Sequence, residues 1–411
     1  MDRADAVQLD DRDPLRHVRQ RFVLPDGMIY LDGNSLGPLP HGVRERLESM
    51  VDVEWGHDLI ASWNTHGWWD LPATTSAKLA GLVGAGPDTV SMGDSTSVQL
   101  FKLLVAAARL RPERSVIVTE PGSFPTNSYI ASSVAQLLGL TVRWWDAEHS
   151  PDIRTVLDDD VAVVALCHVD YRTGWMHDAA QVTAAIHDAG AITLWDVCHS
   201  AGAVDIDLSG WDTDLAVGCT YKYLNAGPGS PAFAYVHPRW HDVLDQPITG
   251  WHGHADPFAL ERDYRPAPGV RRVEAGAVPL LAVAAVEAAV DAFDGVAMAD
   301  VRAKSLALTD LFIDRASARL EPRGVSIEVP REHRHRGSQG CLRLPDAYGF
   351  VQALIRRGVV GDFREPDRAR FGFVPLYTRY VDVFDAVEHM VAVLDEGEHV
   401  RPENTARAVV T

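Results

Sequence analysis

Short apolar runs alternate with amphipathic helical segments through the middle of the chain, between residues 90 and 275. Short apolar runs separated by helical segments are typical of parallel strands that helices cover on both faces. The pattern therefore predicts an α/β domain whose central sheet is mostly parallel. The predicted strands are residues 115–119, 140–145, 161–167, 191–196, 214–219 and 232–236, and the predicted helices are residues 97–108, 128–138 and 179–189.

The two ends of the chain follow other patterns. Residues 28–31 predict a strand that runs into the turn formers of residues 32–38, and the apolar spacing over residues 42–55 is helical. An alanine-rich helix over residues 280–293 predicts the start of a smaller α+β domain, with strands expected at 324–329, 340–344 and 369–373. We expect residues 1–70 to form an arm and helices that pack with this small domain, residues 71–280 to form the large ligand-binding domain, and residues 281–411 to form the small C-terminal domain.

Composition and charge exclude several classes of function. The chain has 411 residues, of which 46% are hydrophobic, so it can bury the core of a substantial enzyme. Its formal net charge of -19, without any Lys/Arg-rich run, opposes binding to nucleic acids and to anionic membranes. The polar N-terminus lacks the apolar core of a secretory signal, and no apolar run is long enough to span a membrane. We therefore expect a cytoplasmic enzyme.

The positions of the cysteines predict reduced, mostly buried thiols, and we expect no metal site. The four cysteines are far apart, whereas zinc ligation needs close pairs such as C-x-x-C. Two close pairs of histidines have no nearby carboxylate or cysteine partners, so we expect polar histidines at the surface or in the active site. The cysteines are Cys167, Cys198, Cys219 and Cys341, and the histidine pairs are His252 with His254 and His333 with His335.

Lys222 differs from the three other lysines of the chain. Lys78 and Lys304 lie in polar helical stretches where solvated ammonium groups are expected, and Lys102 lies on an amphipathic helix. Lys222 ends an apolar strand, directly after Tyr221, and a loop rich in Gly and Pro follows it. Ligands of open α/β sheets collect beyond the carboxyl ends of strands. We therefore expect Lys222 to contact a ligand as a nucleophilic amine.

Asp196 ends the strand before Lys222 and offers the second charge that a pyridine cofactor needs. A carboxylate at that strand end keeps a pyridine nitrogen protonated, which makes the ring an electron sink. Together, Lys222 and Asp196 indicate pyridoxal phosphate. The alternative is that Asp196 caps a turn before His199 and that Lys222 is an ordinary lysine at a strand end.

The segment Asp94-Ser95-Thr96-Ser97 offers a cradle for a phosphate. It precedes a predicted helix, so hydroxyl groups and free backbone N–H groups meet at a helix N-terminus, where an anion is favoured. An ordinary N-cap produces the same pattern. The segment therefore supports a phosphate site only in combination with Lys222 and Asp196.

Seven motifs together resemble the kynureninase family over residues 28–380, which is most of the chain. The resemblance implies the fold type I of pyridoxal-phosphate enzymes, a homodimer with shared active sites, and a cofactor bound in the large domain. It also implies hydrolysis of the Cβ–Cγ bond of L-kynurenine or a ring-substituted relative, giving an anthranilate and L-alanine, within tryptophan breakdown and NAD biosynthesis. The motifs are Tyr30-Leu-Asp-Gly-Asn-Ser-Leu-Gly37, Asp94-Ser-Thr-Ser97, Phe124-Pro-Thr126, His168-Val-Asp-Tyr-Arg-Thr-Gly174, Trp195-Asp-Val-Cys-His-Ser-Ala-Gly202, Cys219-Thr-Tyr-Lys-Tyr-Leu-Asn225 and Gly250-Trp-His-Gly-His254.

The resemblance also implies roles for individual residues. Lys222 would form the Schiff base and take the Cα proton, Asp196 would pair with the pyridine nitrogen, and Tyr221 would protonate Cβ. Arg370 would bind the substrate α-carboxylate, for which its planar fork of N–H groups is suited. The remaining residues expected at the cofactor are Thr96, Ser97, Phe124 stacked on its ring, Pro125, Thr126, Asn127, Thr173, His199, Trp251 from either subunit and Ala277, and those expected at the substrate are Trp63, Asn34 and His252.

Two positions depart from the family pattern. Asn127 stands where the family usually has Asp, which removes a negative charge and leaves Asp196 as the lone carboxylate for the cofactor nitrogen. Ala277 stands where Thr or Asn is usual, and its loss of a polar side chain favours weaker cofactor binding or a reshaped pocket. Both changes indicate a variant substrate. The alternatives are another fold type I enzyme, such as a cysteine desulfurase or an aminotransferase, and a catalytically impaired binding protein.

Overall fold

The secondary structure is taken from a computed structural model that describes residues 1–407. Its strands are β1 (Ile29–Tyr30), β2 (Val90–Met92), β3 (Val116–Thr119), β4 (Thr141–Trp144), β5 (Val161–Cys167), β6 (Ile192–Asp196), β7 (Leu215–Gly218), β8 (Phe233–Val236), β9 (Ser326–Ile327), β10 (Gln339–Arg343), β11 (Val359–Val360), β12 (Asp362–Arg364) and β13 (Arg368–Gly372). Its helices are α1 (Arg3–Arg12), α2 (His41–Ser49), α3 (Ser62–Thr65), α4 (Leu71–Leu82), α5 (Thr96–Arg109), α6 (Pro125–Leu138), α7 (Ala179–Asp188), α8 (Leu280–Val290), α9 (Met298–Leu320), α10 (Ala347–Arg356), α11 (Tyr380–Asp395) and α12 (Pro402–Thr405).

The central sheet has seven strands in the order β2-β8-β7-β6-β5-β3-β4. Strand β8 runs antiparallel to both of its neighbours, and every other pair in the sheet is parallel. The strands in the middle of the sheet are buried along their length, as apolar runs covered on both faces should be. The prediction of a mostly parallel sheet is therefore confirmed.

Helices cover both faces of this sheet. Helices α5 and α6 pack on one face, where their apolar side chains form a cluster with alternate residues of β3, β5, β6 and β7. The opposite face packs with α4, α7 and α8 in a second cluster. Because the strands are clamped from both sides, the side chains that follow their carboxyl ends are held on a rigid edge.

A smaller domain forms the C-terminal part of the described chain. Its antiparallel sheet has the order β12-β13-β10-β9, and α9, α10 and α11 pack on it around a third apolar cluster. The prediction of a small α+β domain is confirmed. The strand expected over residues 324–329 is shorter than predicted, because only Ser326–Ile327 pairs with β10.

The N-terminal segment contacts both domains. Helix α1 packs against α11, and β1 pairs in parallel with β11. Helix α2 packs against α8, and a π-helical turn over Met50–Trp55 follows it within the predicted helix of residues 42–55. The domain boundaries given by the sequence stay predictions.

One lysine lies in an unexpected environment. The side chain of Lys304 on α9 is only 5% exposed, and its ammonium group lies 2.6 Å from the buried carboxylate of Asp13. The expectation of a solvated ammonium was wrong, because the partner comes from a distant part of the chain. No helix among residues 1–407 is long and apolar enough to cross a membrane.

Candidate active site

The candidate site lies where the parallel strands of the central sheet end. Asp196 is the last residue of β6, and Tyr221 and Lys222 follow β7 after a short turn. Strand β2, at the edge of the sheet, leads at the same end into Ser95, the N-cap of α5. The fold therefore brings the predicted lysine, carboxylate and helix N-terminus to one edge of the sheet.

Lys222 contacts a neutral imidazole. Its Nζ atom lies 2.9 Å from Nε2 of His199 and 5.8 Å from the ring centre of Tyr221. The pKa of His199 lies well below its ordinary value, first because the ring is buried and then because the positive charge of Lys222 opposes a second one. Lys222 forms no ion pair with a carboxylate among the described residues, so its amine is not tied down by an anion.

Asp196 is a buried carboxylate that neutral groups hold in place. The Asn127 side-chain amide donates to Oδ2 over 2.9 Å, and the backbone N–H of Cys198 donates to Oδ1 over 2.9 Å. The thiol of Cys167 lies 3.8 Å from Oδ2. Asp196 is 8% exposed, and within residues 1–407 no cation lies within ion-pair distance of it.

These two charged groups fit pyridoxal phosphate. A buried carboxylate without a cationic partner favours a ligand that brings a positive charge, and a protonated pyridine nitrogen is such a group. Lys222 offers the amine for a Schiff base. The thiol of Cys198 lies near both groups: its pKa is raised well above the ordinary value by Cys219, by burial and by the charge of Asp196, and the charge of Lys222 opposes that rise. The buried Nδ1 atom of His199 has no hydrogen-bond partner among the described residues, which leaves it available to a ligand.

The N-terminus of α5 forms the predicted anion cradle. Ser95 caps the helix by accepting a hydrogen bond from the backbone of Val98, so the N–H groups of Thr96 and Ser97 in the first turn stay available. Asp94 precedes the cap, and a carboxylate there would repel a phosphate. The fully buried ammonium of Lys102 forms an ion pair with Asp94 over 2.8 Å and so neutralises that negative charge.

Helix α6 and the loop after β5 carry the other predicted cofactor residues. Phe124 caps α6, and its ring packs edge-on against Tyr171 at 5.3 Å. Pro125, Thr126 and Asn127 form the first turn of α6. The hydroxyl of Thr173 donates to Asp170 over 2.8 Å and thereby shapes the loop that borders a cavity of about 600 Å³.

The predicted carboxylate receptor Arg370 lies on β13 in the small domain. It is 1% exposed and forms a hydrogen-bonded ion pair with Asp362, its cross-strand neighbour on β12. Ser35 and Arg364 bind the same carboxylate over 2.5 Å and 2.6 Å. Fully buried Asn34 lies beside β13, and neither polar atom of its amide has a hydrogen-bond partner in the described chain.

Sequence reasoning missed two members of this cluster, Asp362 and Arg364. Asp362 and Arg364 lie two residues apart on β12, and Arg368 and Arg370 lie two residues apart on β13. A hairpin turn joins the two strands. That alternation was the available signal, because residues two apart on a strand share a face.

The remaining predicted residues form an aromatic cluster. The ring of Trp69 lies 6.3 Å from Trp63, 5.4 Å from Trp251 and 4.8 Å from His252. Ala277 is exposed in the loop that pairs with the backbone of His252. In the part of the chain that the structure describes, none of these side chains forms a hydrogen bond with Lys222 or Asp196.

We expect Asn127→Asp to make the stability of the cofactor-free protein depend on pH. Two carboxylates within hydrogen-bonding distance share one proton, so their pair has a pKa above that of the unfolded chain, about 3.9. The resulting loss of unfolding free energy is absent below the pKa of the unfolded chain, and it grows as the pH rises through the raised pKa of the folded pair. In urea unfolding, the variant should lose about 1–3 kcal/mol more at pH 8 than at pH 5.

Asn127→Ala serves as the control for this substitution. It removes the same hydrogen bond without adding a charge, so its loss of unfolding free energy should be similar at the two pH values. Equal losses for Asn127→Asp at pH 5 and pH 8 would contradict the arrangement of Asn127 and Asp196 described above.

Comparisons with curated proteins give close relatives over the whole chain. The chain is 47% identical over 413 residues to the kynureninase of Burkholderia mallei, with 100% of this chain and 99% of the relative covered. It is 46% identical over 415 residues to the kynureninase of Pseudomonas fluorescens, with the same coverage. The family model for class-V aminotransferases matches residues 72–338, and the model for the kynureninase C-terminal domain matches residues 301–390.

Solved structures with a similar fold include two cysteine desulfurases. The enzyme from Thermococcus onnurineus superimposes with a TM-score of 0.78 at 18% identity, covering 92% of this chain and 98% of that one. The Escherichia coli enzyme gives a TM-score of 0.77 at 18% identity, covering 93% and 99%. At this identity the likeness shows the fold alone, and it confirms the fold type I architecture.

Together these comparisons decide the family and the cofactor. The class-V match and the full-length relatives confirm pyridoxal phosphate as the cofactor, in agreement with the charges at Lys222 and Asp196. The chain belongs to the kynureninase family.

Proposed function

We propose that this protein hydrolyses the Cβ–Cγ bond of L-kynurenine or of a ring-substituted relative, releasing an anthranilate and L-alanine. The observation that carries the proposal is the placement of Lys222 and Asp196, two charged groups without ionic partners in the described chain, at one edge of the sheet of a kynureninase-family fold. When bound, pyridoxal phosphate supplies an electron sink that stabilises negative charge at Cα and Cβ of an amino acid.

Lys222 acts as the base at Cα. Its amine lies against the uncharged ring of His199, which can accept a hydrogen bond at Nε2 and does not add a competing positive charge. An amine held in this way can take a proton when it is free and return it later. Asp196, held by the hydrogen bond from Asn127, offers the carboxylate that favours positive charge at the cofactor nitrogen.

Tyr221 acts as the acid at Cβ. Burial and the neighbouring Cys219 raise the pKa of its phenol above the ordinary value, so the hydroxyl is protonated at neutral pH and able to donate. The backbone carbonyl of Tyr221 accepts a hydrogen bond from Gly37 over 2.8 Å, which fixes the turn that carries the ring. Tyr221 thus offers a proton next to Lys222.

The substrate carboxylate binds at the small domain, near Arg370 and Asn34. A guanidinium provides the charge, and the unpartnered amide of Asn34 provides a donor that is already buried and so needs no desolvation on binding. With its α-carboxylate held there, an amino acid is oriented between the small domain and Lys222.

We propose a homodimer whose subunits share their active sites. The cluster of Trp63, Trp251 and His252 continues into Phe258, which is 68% exposed although it packs on Trp251 at 5.6 Å. Exposed aromatic surface of this kind favours a protein interface. In a dimer, Trp251 and Ala277 would complete the cofactor site of the partner, and Trp63 and His252 would line its substrate pocket.

We also propose a cytoplasmic location and a role in tryptophan breakdown through the kynurenine pathway, with products that feed NAD biosynthesis. These proposals rest on the resemblance and on the acidic composition of the chain.

The function is tested by incubating the purified protein, with pyridoxal phosphate bound, with L-kynurenine. We expect anthranilate, detected by its fluorescence, and L-alanine in equal amounts. L-cysteine under the same conditions tests the desulfurase alternative, for which alanine would form and the sulfur would be left as a persulfide on a cysteine of the enzyme. Comparing kcat/KM for L-kynurenine, 3-hydroxykynurenine and a ring-methylated analogue identifies the substrate, and release of no anthranilate from any of them would refute the proposal.

A further inference from the structure

Arg370 has few N–H groups left for a substrate. A guanidinium carries five N–H groups, and four hydrogen bonds already engage those of Arg370. Its Nε and Nη2 atoms grip the two oxygens of Asp362. Nη2 also donates to Ser35 over 2.7 Å, and Nη1 donates to the backbone carbonyl of Tyr171. The remaining N–H group cannot make the two-point contact by which arginine usually holds a carboxylate.

Arg364 lies beside Arg370 and keeps most of its donors free. Its Nη2 atom donates to Ser35 over 3.1 Å and to Asp362 over 2.6 Å. Its Nε atom is buried and has no hydrogen-bond partner within the described residues. The side chain of Arg364 is 33% exposed, whereas that of Arg370 is 1% exposed. Arg364 is therefore the guanidinium of this pair that an entering ligand can reach.

Both guanidiniums lie within electrostatic reach of His199, the imidazole that contacts the reacting lysine. His199 touches Lys222, and its pKa is lowered by burial and then by three positive charges. Those charges are Lys222, Arg370 and Arg364. The unpartnered amide of Asn34 packs against the strand that carries Arg370. The small domain thus places two guanidiniums near the imidazole that contacts Lys222, and an unsatisfied amide lies against the strand of one of them.

The charges of this cluster suit an anion. Two guanidiniums against Asp362 leave one positive charge uncompensated. The neighbouring Asp32 is buried, and burial together with the charge of Asp362 raises its pKa to about 7, so it carries less than a full negative charge at neutral pH. An entering carboxylate would therefore meet a net positive site.

We propose that Arg364 binds the α-carboxylate of the substrate together with Arg370, and that Asp362 is a positioning residue that aligns the two guanidiniums. The inference rests on the proposed function, because it requires an amino-acid substrate bound next to Lys222. Asn34 offers a neutral donor beside Arg370, whereas Arg364 offers the second charged one, which a carboxylate favours.

The test compares a ligand that has the carboxylate with one that lacks it. KM and kcat are measured for L-kynurenine, and the inhibition constant is measured for kynuramine, which is kynurenine without its carboxylate. The proteins are the wild-type holoenzyme, Arg364→Gln, Arg364→Lys and the control Arg343→Gln. Arg343 lies on the same small sheet and pairs with Asp367 over 2.6 Å, outside the cluster.

For Arg364→Gln we expect KM for L-kynurenine to rise by about 10- to 100-fold, the value of a hydrogen bond to a charged group. kcat should change much less, and the inhibition constant of kynuramine should stay within about twofold, since that ligand makes no use of Arg364. Arg364→Lys should have a KM between those of the wild type and Arg364→Gln, because it restores the positive charge. Arg343→Gln should match the wild type.

Other outcomes overturn the inference. An unchanged KM in Arg364→Gln would exclude Arg364 from carboxylate binding. If Arg364→Gln raises KM for L-kynurenine and the inhibition constant of kynuramine by the same factor, the role of Arg364 is merely structural. The same conclusion follows if Arg364→Gln fails to fold and Arg364→Lys has the KM of the wild type. A wild-type enzyme that releases no anthranilate would refute the proposed function instead, so the two failures are distinguishable.

Discussion

Lys222→Ala should lose turnover by more than about 10³-fold, because a single substitution removes both the Schiff-base amine and the base at Cα. The other three lysines cannot replace it. Lys102 and Lys304 are buried in ion pairs with Asp94 and Asp13, and the ammonium of Lys78 pairs with Asp291 at the surface. The measurement is anthranilate release under saturating L-kynurenine.

A second readout identifies the covalent attachment itself. Borohydride reduction followed by peptide mass spectrometry should place the cofactor on the peptide that contains Lys222 in the wild type, and on no peptide of Lys222→Ala. Lys78→Ala is the matched control and should behave as the wild type, since its ammonium is solvated. Turnover or cofactor attachment retained in Lys222→Ala would remove Lys222 from the mechanism.

The central sheet could be predicted because its signal is local. Each strand is a short apolar run, and each helix between strands has its own spacing, so β5 was predicted to the residue and β6 within one. The position of Lys222 and Asp196 at strand ends follows from the same pattern, since parallel strands all end at one edge of the sheet.

The cluster of Asp362, Arg364 and Arg370 could not be predicted in the same way. The grip of Asp362 on Arg370 depends on the register of two strands, and register is fixed by pairing across the sheet rather than by either strand alone. The ion pair of Lys304 with Asp13 likewise joins segments far apart in the chain. Such contacts follow from tertiary packing, which the order of residues does not display.

Asn127 shows how the structure changes the meaning of a sequence departure. From the sequence, the loss of an expected carboxylate leaves Asp196 as the lone carboxylate for the cofactor nitrogen. In the structure its amide donates to Asp196, where a second carboxylate would compete for a proton. Asn127 therefore holds Asp196 in place without adding a competing negative charge, and the departure is compatible with an active enzyme.

Tyr221→Phe should lower kcat by about 10²- to 10⁴-fold, the range typical of a lost general acid. The ring stays beside Lys222, so borohydride reduction should still attach the cofactor, and only the proton that Tyr221 delivers to Cβ is lost. The raised pKa of the phenol means that the wild-type residue remains protonated well above neutral pH, so its ionisation should not reduce kcat in that range.

Tyr223→Phe provides the matched control, because Tyr223 flanks the same lysine on its other side. Its hydroxyl is fully buried and donates to the backbone carbonyl of Ser338 over 3.3 Å. Losing that bond should lower the free energy of unfolding by about 0.5–1.5 kcal/mol and leave kcat nearly unchanged. If Tyr221→Phe and Tyr223→Phe reduce kcat equally, the effect is structural, and the proton for Cβ must come from another group.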